Sequence, residues 1–199
     1  MQLDEVLRRR RMTRRFATTP LRPETIDRLL DAARRVPSAG FTQAVEFVVL
    51  TERAARQRFW AAVAEVGWAE GDGTSIVAAP VIVVPVVSPL AYRDRYAEED
   101  KSASSLAGGD GWAVPYWLVD ASFCVLALLL AAEDGELGAL FFHLQGNEAA
   151  ALGALGVPPR YQTIGAVALG ARAADERPSG SPTRRTRRGL DELVHREGW

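Results

Sequence analysis

Apolar residues recur at helical spacing in two segments near the start of the chain. The first segment begins at Leu3 and runs into a series of arginines. The second begins at Pro23, which suits the first turn of a helix, and residues 37–40 then end that helix and begin a loop. The apolar positions that carry the second pattern are Ile26, Leu29, Leu30 and Ala33. Both segments are predicted helices.

Four other segments predict the strands of a sheet. Residues 81–87 form an almost continuous β-branched run, which is typical of a strand covered on both faces. The other three strands are predicted at 45–50, 139–144 and 162–169. Thr51 is positioned to cap a third helix through about residue 66, a loop follows to residue 75, and Asn147 is positioned to cap a short helix ending near 155. The alternation of helices and strands predicts one α+β domain over residues 1–199.

Three segments differ from this regular pattern. Residues 120–134 read as a central helix that is apolar on nearly every side, so neighbouring elements must surround it. The apolar run at 118–132 is interrupted by Asp120 and Ser122 and is too short for a bilayer, so we expect no membrane partner. Residues 89–114 are polar and are predicted to form a long loop that is functional or mobile, within which 108–111 would be a glycine-rich mobile part.

The C-terminal arm, residues 171–199, is polar and has no core of its own. Its apolar anchors are Leu190, Leu193, Val194 and Trp199. Each apolar side chain of the arm gains roughly 1.5–3 kcal/mol when a second surface covers it. We therefore expect the arm to pack on a partner subunit in a homodimer.

Composition excludes several classes of protein. The 199 residues include one cysteine, Cys124, and two histidines, so neither a disulfide framework nor a common zinc site can be assembled. The N-terminus lacks the features of a secretory signal, which favours a cytoplasmic location. With 24 basic and 25 acidic residues the net charge is −1, which does not favour a nucleic-acid partner.

Two arginine clusters, residues 8–15 and 184–188, are the main chemical signal. Lys101 is the only lysine, so nearly every basic residue is an arginine. Guanidinium groups near a helix end offer bidentate contacts to phosphate, although a solvated basic face has the same composition. Cys124 lies in an apolar context that favours a structural thiol, and His143 fits either a site residue or a packed side chain. No nucleophile motif is present, so in an enzyme a cofactor would supply the chemistry.

The order of segments resembles the FMN-dependent nitroreductase family. The similarity is carried by residues 10–16, 26–40, 47–51, 120–139 and 156–170. The resemblance implies an α+β sandwich with a central, mostly antiparallel sheet flanked by helices. It also implies an intertwined homodimer whose terminal arms embrace and whose two FMN sites lie at the interface.

The resemblance also assigns residues to the flavin. Arg10, Arg11 and Arg14 would bind the ribityl phosphate, and Arg185 and Arg187 would cover the same phosphate. The flavin edge would be lined by Pro37, Ser38 and Ala39, and the region of flavin N5 would receive backbone N–H groups from the turn at Phe142, His143 and Leu144. The rings of Phe41 and Phe142 would supply a dry stacking surface.

This sequence departs from the family pattern at three places. Met12 is predicted to contact the cofactor at a position where the family usually has serine, and Phe41, where asparagine is common, is predicted to contact substrate. Ala44 and Val45 stand where the family has Pro-Trp. The group that faces flavin N1 and O2 is not assigned, and Arg93, Arg95 and Lys101 are unranked candidates for it.

The resemblance implies an oxidoreductase in which NAD(P)H passes a hydride to flavin N5 and a small electron-poor acceptor, a nitroaromatic or quinone, then takes the same position. No side chain is predicted to be catalytic and no metal is expected. Two alternatives stay open: a specialised member acting as a biosynthetic flavin dehydrogenase, and a non-catalytic protein that binds FMN or nucleic acid.

Overall fold

A single antiparallel sheet organises the chain. The structure is a computed structural model that describes residues 1–63, 76–104, 106, 112–178, 180 and 183–199. Its strands are β1 (Val45–Leu50), β2 (Val81–Val87), β3 (Gly138–Phe142) and β4 (Ala166–Gly170), in the order β1-β2-β4-β3 with every neighbouring pair antiparallel. The predicted α+β class and antiparallel sheet are confirmed.

The helices of the described residues cover the two faces of this sheet. They are α1 (Leu3–Arg9), α2 (Pro23–Ala33), α3 (Arg53–Ala62), α4 (Pro89–Tyr96), α5 (Tyr116–Asp134) and α6 (Glu148–Ala154). The predicted cap of α3 is wrong, because α3 begins after Glu52 rather than Thr51. Asn147 occupies the predicted N-cap position of α6, but its side chain makes no capping hydrogen bond to the described residues. The predicted loop at 67–75 and the glycine-rich part at 108–111 lie outside the described residues.

The expectation of one long loop at 89–114 is wrong. Residues 89–96 form α4, and Glu99–Lys101 adds a short 3-10 turn. Pro89 occupies the first turn, and the rings of Tyr92 and Tyr96, four residues apart, are buried on one side of α4. Two apolar anchors within a polar segment therefore suffice to fix this helix.

The core lies on both sides of β2, every residue of which is buried. Successive side chains of a strand point to opposite faces, so Ile82 packs with Phe59 of α3 while Val83 packs with Leu128 of α5. The sheet is thus sandwiched between α3 and α6 on one face and α2 and α5 on the other.

Helix α5 is longer than the apolar run within it. The helix has 19 residues and, by length and composition alone, could cross a membrane. However, 44% of its apolar 18-residue stretch is buried inside the domain. Contacts with α2 and the sheet are those of a core helix. Phe123 and Leu126 nevertheless remain exposed on its outer side.

The two ends of the domain are joined beside the sheet. The backbone N–H of Thr13 donates to the carbonyl of Ala139 in β3, and the N–H of Ala17 donates to the carbonyl of Ala171, just after β4. Gly138 permits this approach, because a Cβ there would lie 2.7 Å from Cγ2 of Thr13. The segment after α1 and the base of the arm therefore lie side by side.

Candidate functional site

The segment that follows α1 carries the first arginine cluster on a fixed backbone. The N–H groups of Arg14 and Arg15 donate to the two carboxylate oxygens of Glu176 at 3.2 and 2.9 Å. Arg15 also pairs with Asp175 at 2.8 Å. One carboxylate from the base of the arm thus holds two consecutive peptide groups, and the side chains of the cluster start from a defined position.

Arg10 gives the clearest indication of an anion-binding position. Its side chain is half-buried, and its Nη1 atom is buried with no hydrogen-bond partner among the residues that the structure describes. A buried guanidinium nitrogen without an acceptor is costly, and a phosphate oxygen is an acceptor suited to it. Arg11 beside it is exposed. The residues after α1 therefore fit the anionic group that the sequence predicts there.

A buried ion pair supports the same segment from α5. Glu133, which is buried, accepts a hydrogen bond from Arg172 at 2.5 Å and lies 3.5 Å from Arg9. Met12 forms a parallel bridge with Ala139, so its backbone is tied to β3 and its side chain is half-buried. The position of Met12 is thus defined, and its predicted cofactor contact stays a prediction.

The second arginine cluster lies on the exposed arm. Arg185 and Arg187 are exposed, and Arg188 pairs with Glu192 at 3.3 Å. The base of this arm contacts the first arginine segment through Glu176, as described above. The convergence of Arg185 and Arg187 on the same phosphate stays a prediction.

The loop 37–43, which contains the predicted flavin-edge residues 37–39, has an unusual backbone. Gly40, Phe41 and Gln43 have φ values of 63°, 56° and 52°, in the left-handed region that non-glycine residues rarely adopt. The loop closes on itself, because the N–H of Gln43 donates to Oγ of Ser38 at 3.0 Å and the hydroxyl of Thr42 donates to the carbonyl of Ala39. Phe41 is 72% exposed at its tip.

Asp120 of α5 is the main polar group behind this loop. It is 2% exposed, and its Oδ2 accepts hydrogen bonds from the N–H of Ala39 at 2.9 Å and from the hydroxyl of Tyr92 at 2.7 Å. Burial and the adjacent carboxylate raise the pKa of Tyr92, so its hydroxyl keeps its proton and donates. The N–H of Ala39 is therefore occupied by its hydrogen bond to Asp120, so any contact of Ala39 with a flavin would involve its other atoms.

A cavity of about 530 Å³ opens beside Asp120, with Ser38, Gln43 and Cys124 in its lining. Burial, and then the Asp120 carboxylate, raise the pKa of the Cys124 thiol to about 11. Such a thiol stays protonated at neutral pH, as the structural interpretation of Cys124 predicts. Among the residues that the structure describes, there is no group of three His, Cys, Asp or Glu side chains that could hold a metal ion.

The turn after β3 contradicts part of the sequence prediction. The ring of Phe142 is 4% exposed because it stacks on Trp60 at 5.5 Å and meets Phe59 edge-on in the core. It is therefore packed inside the domain and offers no stacking surface, and Leu144 is buried as well. His143 is exposed, so the alternative of a packed histidine is wrong. The predicted contribution of backbone N–H groups from this turn stays a prediction.

Arg95, one of the candidates for the group that faces flavin N1 and O2, binds the loop and an acidic side chain in the structure. Its Nε donates to the carbonyl of Gly40 at 2.8 Å, and its two terminal nitrogens bind Asp100 at 2.6 and 2.7 Å. Lys101 lies over the ring of Tyr96, 5.8 Å from its centroid. The sequence did not predict the roles of Asp120 and Arg95 at the loop, although a carboxylate inside an apolar helix is a signal for the first of them.

Comparison with known proteins agrees with this geometry. The sequence profile of the Nitroreductase family matches residues 7–171. No curated protein matches the sequence. Similar solved structures include a Desulfovibrio desulfuricans protein named as a nitroreductase in complex with FMN, with a TM-score of 0.70, 23% identity, and coverage of 100% of this chain and 98% of that chain.

Two further structures share the fold. NfrA2 of B. megaterium has a TM-score of 0.76 and 15% identity, covering 100% of this chain and 75% of that one. A nitroreductase family protein of Clostridium difficile has a TM-score of 0.69 and 18% identity, covering the whole of both chains. At these identities the likeness establishes the fold.

Proposed function

Because the chain belongs to the nitroreductase family, we propose that it is an FMN-dependent oxidoreductase that transfers a hydride from NAD(P)H to an electron-poor acceptor such as a nitroaromatic or quinone. The observation that carries the proposal is the buried Nη1 of Arg10, which has no partner among the described residues and lies in the segment that Glu176 holds at Arg14 and Arg15. The FMN in the similar Desulfovibrio structure supports the choice of anion.

In this proposal each part of cofactor binding falls to a described part of the chain. Arg10, Arg11 and Arg14 hold the phosphate, helped by Arg185 and Arg187 of an arm. Met12 and the loop 37–39 contact the cofactor, and Phe142, His143 and Leu144 contribute backbone groups.

FMN held by these residues would supply the redox chemistry, namely hydride transfer between the nicotinamide and the acceptor. The task of the protein is to bind and orient the reactants and to exclude water. Phe41 presents an exposed aromatic face to a flat acceptor, and no side chain has to move a proton for the hydride step. Charged donors near the phosphate anchor the cofactor without entering the reaction.

The visible spectrum of the purified protein tests this function. We expect bands of oxidised flavin that disappear on adding NADH or NADPH and return on adding a nitroaromatic or quinone. Flavin that is reduced but not reoxidised by these acceptors would favour a specialised dehydrogenase. A colourless protein whose binding to duplex DNA falls steeply with salt would contradict the proposal.

The proposed enzyme is a cytoplasmic homodimer. Two exposed apolar surfaces support the dimer: Phe123 and Leu126 on α5, and the arm, whose Trp199 is fully exposed. Beside Leu126 lies an open groove lined by other apolar side chains, including Leu129 and Phe141. A second copy of the chain that covers these surfaces would bury apolar area that is otherwise in water.

Leu126→Glu tests the dimer. A carboxylate in an apolar interface must be desolvated without a partner, so we expect the variant to be monomeric at micromolar concentration and to lose FMN. Light scattering measures the mass of both proteins. Leu3→Glu, at an exposed apolar position on α1, is the matched control and should stay dimeric. A monomeric unmodified protein would refute the dimer.

A further inference from the structure

The loop 38–43 has a backbone that needs outside support. Phe41 and Gln43 both lie in the left-handed region, and the side chain of Phe41 is 72% exposed, so little packing of its own holds it there. Strained backbone of this kind persists where surrounding structure over-determines it. The hydrogen bonds within the loop close it but do not fix its position on the domain.

Two charged side chains attach the closed loop to the domain from two helices. Asp120 of α5 accepts the N–H of Ala39, and Arg95 of α4 donates to the carbonyl of Gly40, so consecutive residues are held from opposite ends. Each holder is itself fixed, Asp120 by the hydroxyl of Tyr92 and Arg95 by Asp100. The ring of Tyr96 also lies against Gly40, where a Cβ would be 2.7 Å from Cε2.

We propose that Asp120 and Arg95 are positioning residues that hold the loop 38–43 in one conformation and so set how Phe41 faces the electron acceptor. The proposal rests on the proposed function, in which this loop lines the flavin edge. It also gives α4 a role: the helix is a fixed support for the acceptor side of the site. Neither residue is assigned a contact with the reacting atoms.

Removal of either holder should let Phe41 and Gln43 leave the left-handed region. The acceptor then loses a fixed stacking surface, and binding weakens in the ground state and transition state alike. Such a loss raises KM while kcat is little changed. The loop amides, now free to open, exchange faster with solvent.

The first test is Arg95→Met, which keeps the aliphatic stem and removes the guanidinium. We expect KM for a nitroaromatic acceptor to rise about 10- to 100-fold with kcat within about two-fold, as for the loss of one hydrogen bond to a charged group. Hydrogen exchange at residues 38–43 should accelerate by a similar factor, and this is measured by mass spectrometry on the protein with and without FMN.

Arg56→Met is the matched control. Arg56 donates from α3 to the carbonyls of Thr51 and Pro80, at the other end of β1 from the loop. Its loss also removes hydrogen bonds from a guanidinium to backbone carbonyls, but exchange at 38–43 and KM should not change. Equal effects of the two substitutions would overturn the proposal.

A double-mutant cycle with Phe41→Ala shows whether Arg95 acts through Phe41. Once the ring of Phe41 is gone, Arg95→Met should have no further effect on KM. For Asp120, the alanine variant should resemble Arg95→Met, whereas Asp120→Asn keeps an oxygen that accepts both bonds and should restore slow exchange. Additive effects of Arg95 and Phe41 on KM would overturn the proposal.

The outcomes separate this proposal from the proposed function. Unchanged loop exchange in Arg95→Met contradicts the positioning role even when the protein reduces nitroaromatics. Accelerated exchange without a change in KM would show that the loop conformation does not affect acceptor binding, and would contradict that part of the proposal. An unmodified protein that neither binds FMN nor turns over contradicts the function, and with it the role of Phe41.

Discussion

Arg10→Gln should bind FMN about 10- to 100-fold more weakly than the unmodified protein, because a charge-assisted contact is worth about 1.5–3 kcal/mol and each 1.4 kcal/mol is a factor of ten. Nη1 of Arg10 is buried, and the described residues offer it no acceptor, so the substitution removes a donor that is available to the phosphate. Titration of the FMN-free protein with FMN, followed by quenching of flavin fluorescence, measures the change.

Arg58→Gln is the control for this prediction. Arg58 is exposed on α3, a helix that covers the face of the sheet opposite α5, and its replacement should leave FMN affinity unchanged. The affinity of Arg10→Gln should also depend less on salt, since one ionic contact is gone. Equal affinities of Arg10→Gln and the unmodified protein would place the phosphate elsewhere.

Gly165→Ala should destabilise the fold by about 2–4 kcal/mol, since the residue has a strained left-handed backbone and no space for a side chain. Its φ is +139°, and a Cβ would lie 2.3 Å from the carbonyl oxygen of Phe142. That oxygen belongs to the backbone of β3 and cannot rotate away. The substitution must therefore displace the turn after Phe142, which is predicted to contact the flavin.

Thermal unfolding measures this effect, with an expected decrease of roughly 5–15 °C in Tm at about 2–4 °C per kcal/mol. Gly153→Ala, in α6, is the matched control: a Cβ there meets nothing within 4 Å, and alanine favours a helix. Its Tm should be unchanged or slightly higher. A Gly165→Ala variant as stable as Gly153→Ala would show that the turn tolerates displacement.

The sheet and most helices could be predicted because their apolar patterns are local. The β-branched run of β2 and the stripe of α2 each identify an element without reference to the rest of the chain. Helix α4 was missed because its two buried residues, Tyr92 and Tyr96, sit among polar neighbours. What fixes that helix is contact with α5 and the loop, which no local pattern reveals.

The candidate site, too, could be predicted only where the signal is local in the sequence. Arginine clusters indicate an anion from composition alone, and the resemblance supplied the flavin. The pairing of Asp120 with Ala39 joins residues 81 positions apart, so it depends on how helices pack. For the same reason Phe142 was expected to present its ring, whereas the register of β3 turns that ring towards Phe59 and Trp60.

The bonds from Arg14 and Arg15 to Glu176 span 162 and 161 positions of the chain. During translation the arginines of the first cluster leave the ribosome long before Glu176, whose carboxylate fixes their backbone. A nascent chain shorter than 176 residues therefore lacks the carboxylate that fixes the backbone of the first arginine cluster. The two segments therefore come together only after the base of the arm has been synthesised.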